Sequence, residues 1–220
     1  MNELFIDANQ AGVAGDMMLS ALVSLGADPK KIEQALAPLS TTTPIQLEFN
    51  PVDRAGVRGL HFSLKQPFPE FKHHHYQDLV SLFCSLELSP PTEALALNIL
   101  QTLGEAEAKV HGIPLNKVHF HEVGAIDSIV DILGVALALE QFGPCRITCS
   151  AITLGFGSVQ CSHGLYPVPA PATLEILSGL TIRSGSLGYE MTTPTGAAIL
   201  KVICEKTGAT VPEMTLDKIG

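Results

Sequence analysis

The chain has 220 residues, 46% hydrophobic and 16% charged, which is enough to bury a sizeable core as one large domain or two small ones. With 22 acidic against 13 basic residues its net charge is -9, so nucleic acid and anionic membrane surfaces, which both demand a basic face, are disfavoured as partners. Five widely spaced cysteines (Cys84, Cys145, Cys149, Cys161, Cys204) form no CxxC pair, which argues against a secreted disulfide framework and for a reducing, cytoplasmic location. The first residues lack the basic start and apolar run of a signal peptide, and the most apolar helix candidate, 128–142, is shorter than a membrane span and carries Asp131 and Glu140. A soluble protein is expected.

In chain order, residues 4–8 read as a short buried strand, Gly12 and Gly15 punctuate a turn, and 16–25 read as a helix closed by Gly26. Ile45, Leu47 and Phe49, then Leu60, Phe62 and Leu64, alternate with polar residues, so two strands are expected, paired across a connection from Val52 to Gly59. Residues 65–76 contain two prolines and His73-His74-His75 with no periodicity, and are expected to form a mobile loop. A short helix over 77–86 precedes a longer one, where Leu95, Ile99, Leu103, Ala106 and Val110 recur at helical spacing. Strands near 147–152 and 181–183 and helices near 172–177 and 197–206 complete an α/β fold: a mixed sheet flanked by helices, in a single layered domain.

The chemistry concentrates in His119-Phe120-His121-Glu122 through Asp127 and Asp131. In an extended segment His119 and His121 project to one face, and Asp127 and Asp131, four apart, stack on one face of the following helix. That helix is apolar elsewhere, and beside the aspartates stand the small Gly134 and Ala138, which leave room for a compensating group. A divalent metal fits that place. Imidazole with carboxylate suits nickel, zinc, iron or manganese alike. The plainer alternative has Asp127 capping the helix and Asp131 paired with a basic residue.

His73, His74 and His75 can present imidazoles to a borderline cation, as metal-delivery segments do, or form an ordinary solvated loop. Cys161 and His163 stand two apart as another donor pair, although a buried inert cysteine is the commoner case. The loop through Gly12, Gly15 and Asp16 leads from strand to helix, where amides and the helix dipole can hold an anion, yet it is neither a Walker loop nor GxGxxG. The plainer alternative has Asp16 capping its own helix start. Thr195, in Thr193-Pro194-Thr195-Gly196, is a second cap or anion contact.

Gly15-Asp16-Met17-Met18, the stretch from Glu105 to Gly112, the run from His119 to Asp131, Cys161-Ser162-His163-Gly164-Leu165, the segment from Pro167 to Thr173 and Thr193-Pro194-Thr195-Gly196-Ala197-Ala198 together resemble the LarC family. The resemblance implies a CTP-dependent cyclometallase that inserts nickel into pyridinium-3,5-bisthiocarboxylic acid mononucleotide, making the nickel-pincer nucleotide cofactor of lactate racemase-type enzymes. It also implies CTP, with magnesium or manganese, bound by a C-terminal domain that this chain lacks. Residues 1–220 then correspond to the family's N-terminal part, with a separate C-terminal polypeptide as a candidate partner. Oligomeric state is left open.

That reaction requires nickel ligands, a base for the ring proton that nickel displaces, and an anchor for the substrate phosphate. Residue chemistry offers His119, His121, Cys161 or His163, with His73, His74 and His75, as ligands. It offers Glu122, Asp127 or Asp131 as the base or as further ligands, and Gly12, Gly15, Asp16 and Thr195 as the anchor. Two rival readings use the same residues: a metal-dependent hydrolase, and a noncatalytic nickel-binding or delivery module.

Overall fold

The computed structural model describes residues 2–39, 44–65, 74–120, 125–161 and 164–220. Strand β1 (Asn2–Ile6) leads through the Gly12 turn into helix α1 (Gly15–Leu25), which ends at Gly26 in a positive-φ conformation with its amide turned back on Leu22 and Val23. Helix α2 (Pro29–Leu36) starts on a capping Asp28, whose carboxylate accepts the Lys30 amide at 2.9 Å, with Pro29 in the first position where no amide is missed. The apolar pattern leaves α2 unassigned, because it buries only Ile32 and Leu36.

Strands β2 (Leu47–Arg54) and β3 (Val57–Leu64) pair antiparallel, Leu47 opposite Leu64 and Phe49 opposite Phe62, as the alternation requires. The expected connection from Val52 to Gly59 is shorter than that. Both strands run on to a two-residue turn at Ala55 and Gly56, and their distal ends are exposed on both faces, so no apolar alternation marks them there.

Within the span expected as a loop, 66–73 lie outside the described residues. His74–His75 form strand β4, and Tyr76 begins α3 (Tyr76–Cys84), so the end of that span is structured. Helix α4 (Pro90–His111) is started by Ser89, whose hydroxyl accepts the Thr92 amide, and stopped by Gly112 at a φ of +65°. After β5 (His119–Phe120) comes α5 (Ile126–Glu140), in which every residue from Ile132 to Leu139 is buried, as befits a helix that is apolar all round. Helices α1, α2 and α4 pack against it. Each fully buried Ile or Leu in that core contributes on the order of 1.5–3 kcal/mol.

Strands β6 (Cys145–Cys149) and β7 (Ile152–Leu154) follow, then β8 (Gly157–Cys161) and β9 (Gly164–Val168), which pair as a hairpin that the sequence pattern leaves unassigned. Helix α6 (Pro171–Ile176), strand β10 (Ile182–Ser184) and helix α7 (Pro194–Ile203) complete the order. β1 runs parallel to β6 and β10 parallel to β7, while the backbone of 205–209 bonds to Ile147, Cys149 and Ser150 along the far side of β6. Parallel and antiparallel pairs with helices against them make the expected α/β class, built from small sheets. No helix among the described residues is long and apolar enough to cross a membrane.

Candidate functional site

Three carboxylates meet where α1 and α5 begin. Asp131 lies on the second turn of α5, half-buried, and takes the backbone amide of Asp16 from the first turn of α1. Burial, with the charges of Asp16 and Asp127 added, pushes its carboxyl up to about 8, and the Asp16 amide works against that rise. Asp127 is exposed as a whole residue, yet desolvation raises its carboxyl too. The two aspartates thus share one face of a largely buried helix, as their spacing predicts, but only Asp131 is drawn partly into the interior. Gly134 and Ala138, expected to leave room for a metal, are buried against protein instead: a Cβ on Gly134 would stand 2.9 Å from Cδ2 of Leu19.

The glycines of the two loops have packing work to do. Gly12, at a φ of +71°, passes so near Met191 that a Cβ would meet its carbonyl oxygen at 2.1 Å. At Gly15 a Cβ would lie 2.5 Å from Oδ2 of Asp131, and at Gly196 it would lie 2.3 Å from the Val13 oxygen. The Val13 amide donates to Met191 at 3.0 Å and the Thr193 amide to Val13 at 3.1 Å, which laces the two loops together. A protein carboxylate thus already sits at the N-terminus of α1, where an anion would go. Asp16 does not cap α1, since its Oδ1 accepts the next amide, that of Met17, at 2.8 Å. Thr193 rather than Thr195 caps α7, accepting from the Gly196 amide at 3.2 Å, and Thr195 is buried.

The two histidine groups, which the sequence sets far apart, meet. β4 pairs antiparallel with β5, His75 faces His119, and the rings stand edge to face with centroids 4.6 Å apart. The Tyr76 amide extends this pairing to the Val118 oxygen at 3.0 Å, and the Tyr76 ring sits in the notch at Gly104, where a Cβ would come within 2.8 Å of it. Burial, with the nearby Glu105, raises the Tyr76 phenol. In the sequence, five residues separate the end of β5 from the start of α5. His73, His121, Glu122 and His163 lie outside the described residues, as do the side chains of His74 and Cys161. Among the described residues no three of His, Cys, Asp and Glu are grouped as a complete metal site.

The charge-coupled carboxylates were legible as a helical i, i+4 pair, but the part played by Asp16 was not, because it comes from tertiary packing of α1 on α5. Nothing in the local pattern signals His75 against His119 either. Away from this region Cys149 and Cys204 face each other as free thiols. The hydrogen bond from Cys204 holds the Cys149 thiol below its ordinary range and raises Cys204.

The imidazole pair on β4 and β5 and the carboxylates at the start of α1 and α5 are of residue types that ligate divalent metals. The chain belongs to the nickel insertion protein family, whose model matches residues 4–220. It is 42% identical over 229 residues to the pyridinium-3,5-bisthiocarboxylic acid mononucleotide nickel insertion protein of Geobacillus kaustophilus, covering 100% of this chain and 55% of that one. To the protein of the same name from Staphylococcus epidermidis it is 42% identical over 218 residues, covering 99% of this chain and 54% of the relative. The chain thus spans about half the length of these relatives. No solved structure matches it.

Proposed function

We propose that this chain is the part of a nickel-inserting enzyme that receives the metal and removes the proton it replaces, with a pyridinium-3,5-bisthiocarboxylic acid mononucleotide as the organic substrate and nickel as the second substrate. The observation that carries the reading is Asp131, whose carboxyl at about 8 suits a general base near neutral pH. Forming a nickel–carbon bond requires loss of a ring proton. Asp131, ionised and desolvated, takes that proton, and Asp16 and Asp127 keep its affinity for it high. His75 and His119 hold the incoming nickel, with His121 and Glu122 as further candidate ligands between the imidazole pair and α5. Cys161 and His163 are kept as reserve donors, and Gly12, Gly15 and Thr195 set the frame in which Asp16 and Asp131 meet. The product cofactor serves lactate racemase-type enzymes in a reducing cytoplasm, as the acidic charge and free thiols suit. CTP, with magnesium or manganese, and a C-terminal polypeptide are proposed as further components.

The test is nickelation followed by mass spectrometry, with purified protein, nickel chloride and the mononucleotide, with and without CTP and manganese. Asp131→Asn should lower the insertion rate by about 100-fold or more while nickel affinity from calorimetry stays within a few-fold. An unchanged rate would remove Asp131 as the base. Tight nickel binding without product under every condition would favour the delivery module.

A further inference from the structure

A cleft of about 520 Å³ opens between α1 and β3, bounded by Asp16, Met17 and Ser20 on the helix, by Arg58 and Leu60 on the strand, and by Ile219 and Gly220. Its volume is in the range that holds a small organic ligand. From Asp16 to Ser24 it follows α1 for about 12 Å, at 1.5 Å per residue. One wall therefore ends at the carboxylate cluster, since Asp16 is the residue whose amide holds Asp131.

The cleft carries one cationic side chain, Arg58, with the Asp16 carboxylate at its other end. Arg58 falls in the same row of β3 as Leu60 and Phe62, the side that packs on α1. Asp53, opposite Arg58 in the hairpin, is engaged with the Gly56 amide at 2.9 Å. Among the described residues the Arg58 guanidinium makes no salt bridge, and neither it nor the His61 ring nor the Ser24 hydroxyl makes a hydrogen bond. An unpaired fork of donors facing the Ser20 and Ser24 hydroxyls, over an apolar floor of Met17, Leu60 and Phe62, suits a phosphate monoester carried on a flat or sugar-like body, while the His61 ring lies in the alternate row of β3. The carboxylates that meet at the start of α1 repel the same phosphate, so such a ligand lies with its phosphate on Arg58 and its other end toward Asp16.

We infer that this cleft binds the phosphate of the pyridinium mononucleotide and so points its ring toward the Asp131 end of α1. The inference rests on the function proposed above and moves the phosphate anchor away from the Gly12, Gly15 and Thr195 loops, whose space is filled by protein.

Calorimetry with nicotinic acid mononucleotide, which keeps the pyridinium, ribose and phosphate, and with its dephosphorylated riboside tests it. The mononucleotide should bind the wild-type protein about tenfold or more tighter than the riboside, a preference of the size of one charge-assisted hydrogen-bond pair. Arg58→Gln should erase that preference, and Arg54→Gln, on the same exposed hairpin but outside the cleft, should keep it. Nickel affinity should be the same in all three proteins. If Arg58→Gln leaves the preference intact, or if the Arg58-dependent ligand is CTP and not the mononucleotide, the assignment is overturned. If the wild type binds neither probe nor nickel, the substrate reading itself falls and the cleft with it.

Discussion

At the scale of single residues, Asp131 links the packing of α1 on α5 to a measurable acid–base property. Its carboxyl, near 3.9 in an unfolded chain, is pushed up to about 8 in the fold. Between about pH 4 and pH 8 the native state therefore holds a proton that the unfolded state has released, and stability must fall as pH rises across that window. Asp131→Asn keeps an oxygen for the Asp16 amide but cannot ionise. In urea unfolding of the metal-free protein, the wild type should lose about 2–5 kcal/mol more than the Asn variant between pH 5 and pH 8, an order-of-magnitude figure for a partly solvated group. Equal slopes for the two proteins would mean that Asp131 ionises like an ordinary surface aspartate and is no poised base.

At the scale of elements, two substitutions separate backbone strain from packing. Ala55 sits in the left-handed region at a φ of +53° beside Gly56 in the β2–β3 turn, a position that asparagine tolerates better than alanine. Ala55→Asn should raise stability by about 0.5–1 kcal/mol in thermal unfolding. Gly196 reads the other way. In an exposed helix Gly→Ala gains about 1 kcal/mol, but here the new Cβ would meet the Val13 oxygen at 2.3 Å, so Gly196→Ala should destabilise by about 3 kcal/mol. A stabilised Gly196→Ala protein would show that the two loops are less tightly laced than their hydrogen bonds require. These cases also mark what could be read in advance. Helices α1, α4, α5 and α7 and the core of the β2–β3 hairpin follow apolar period and breaker residues, which are local signals. Helix α2 and the β8–β9 hairpin give no signal because they bury little or carry no clear alternation, and the loop glycines read as ligand contacts because a close backbone approach from residues 191–193 leaves no trace in nearby sequence.

At the scale of the whole molecule, the same limit decides where the metal site is sought. The sequence sets His73, His74 and His75 and the pair His119 and His121 as alternatives, a flexible segment against a helix entry, but the fold joins them through the pairing of β4 with β5 and the contact of His75 with His119. Two imidazoles already held on paired strands lose little conformational freedom on chelation, so they should act as one unit. Nickel that binds only the folded protein adds about 2.7 kcal/mol to its stability at a hundredfold excess over its dissociation constant. Urea unfolding with and without nickel should show this gain in the wild type and lose most of it in His75→Ala and in His119→Ala alike. Combining the two should cost little more than either alone, a coupling of about 1 kcal/mol or greater. Protonation removes the imidazole lone pair, so the gain should also shrink as pH is lowered. Additive losses would mean that the histidines bind separate ions. A nickel gain that survives the double substitution but vanishes with His121→Ala would move the ligand set to the approach to α5 and leave the β4–β5 pair as a structural contact.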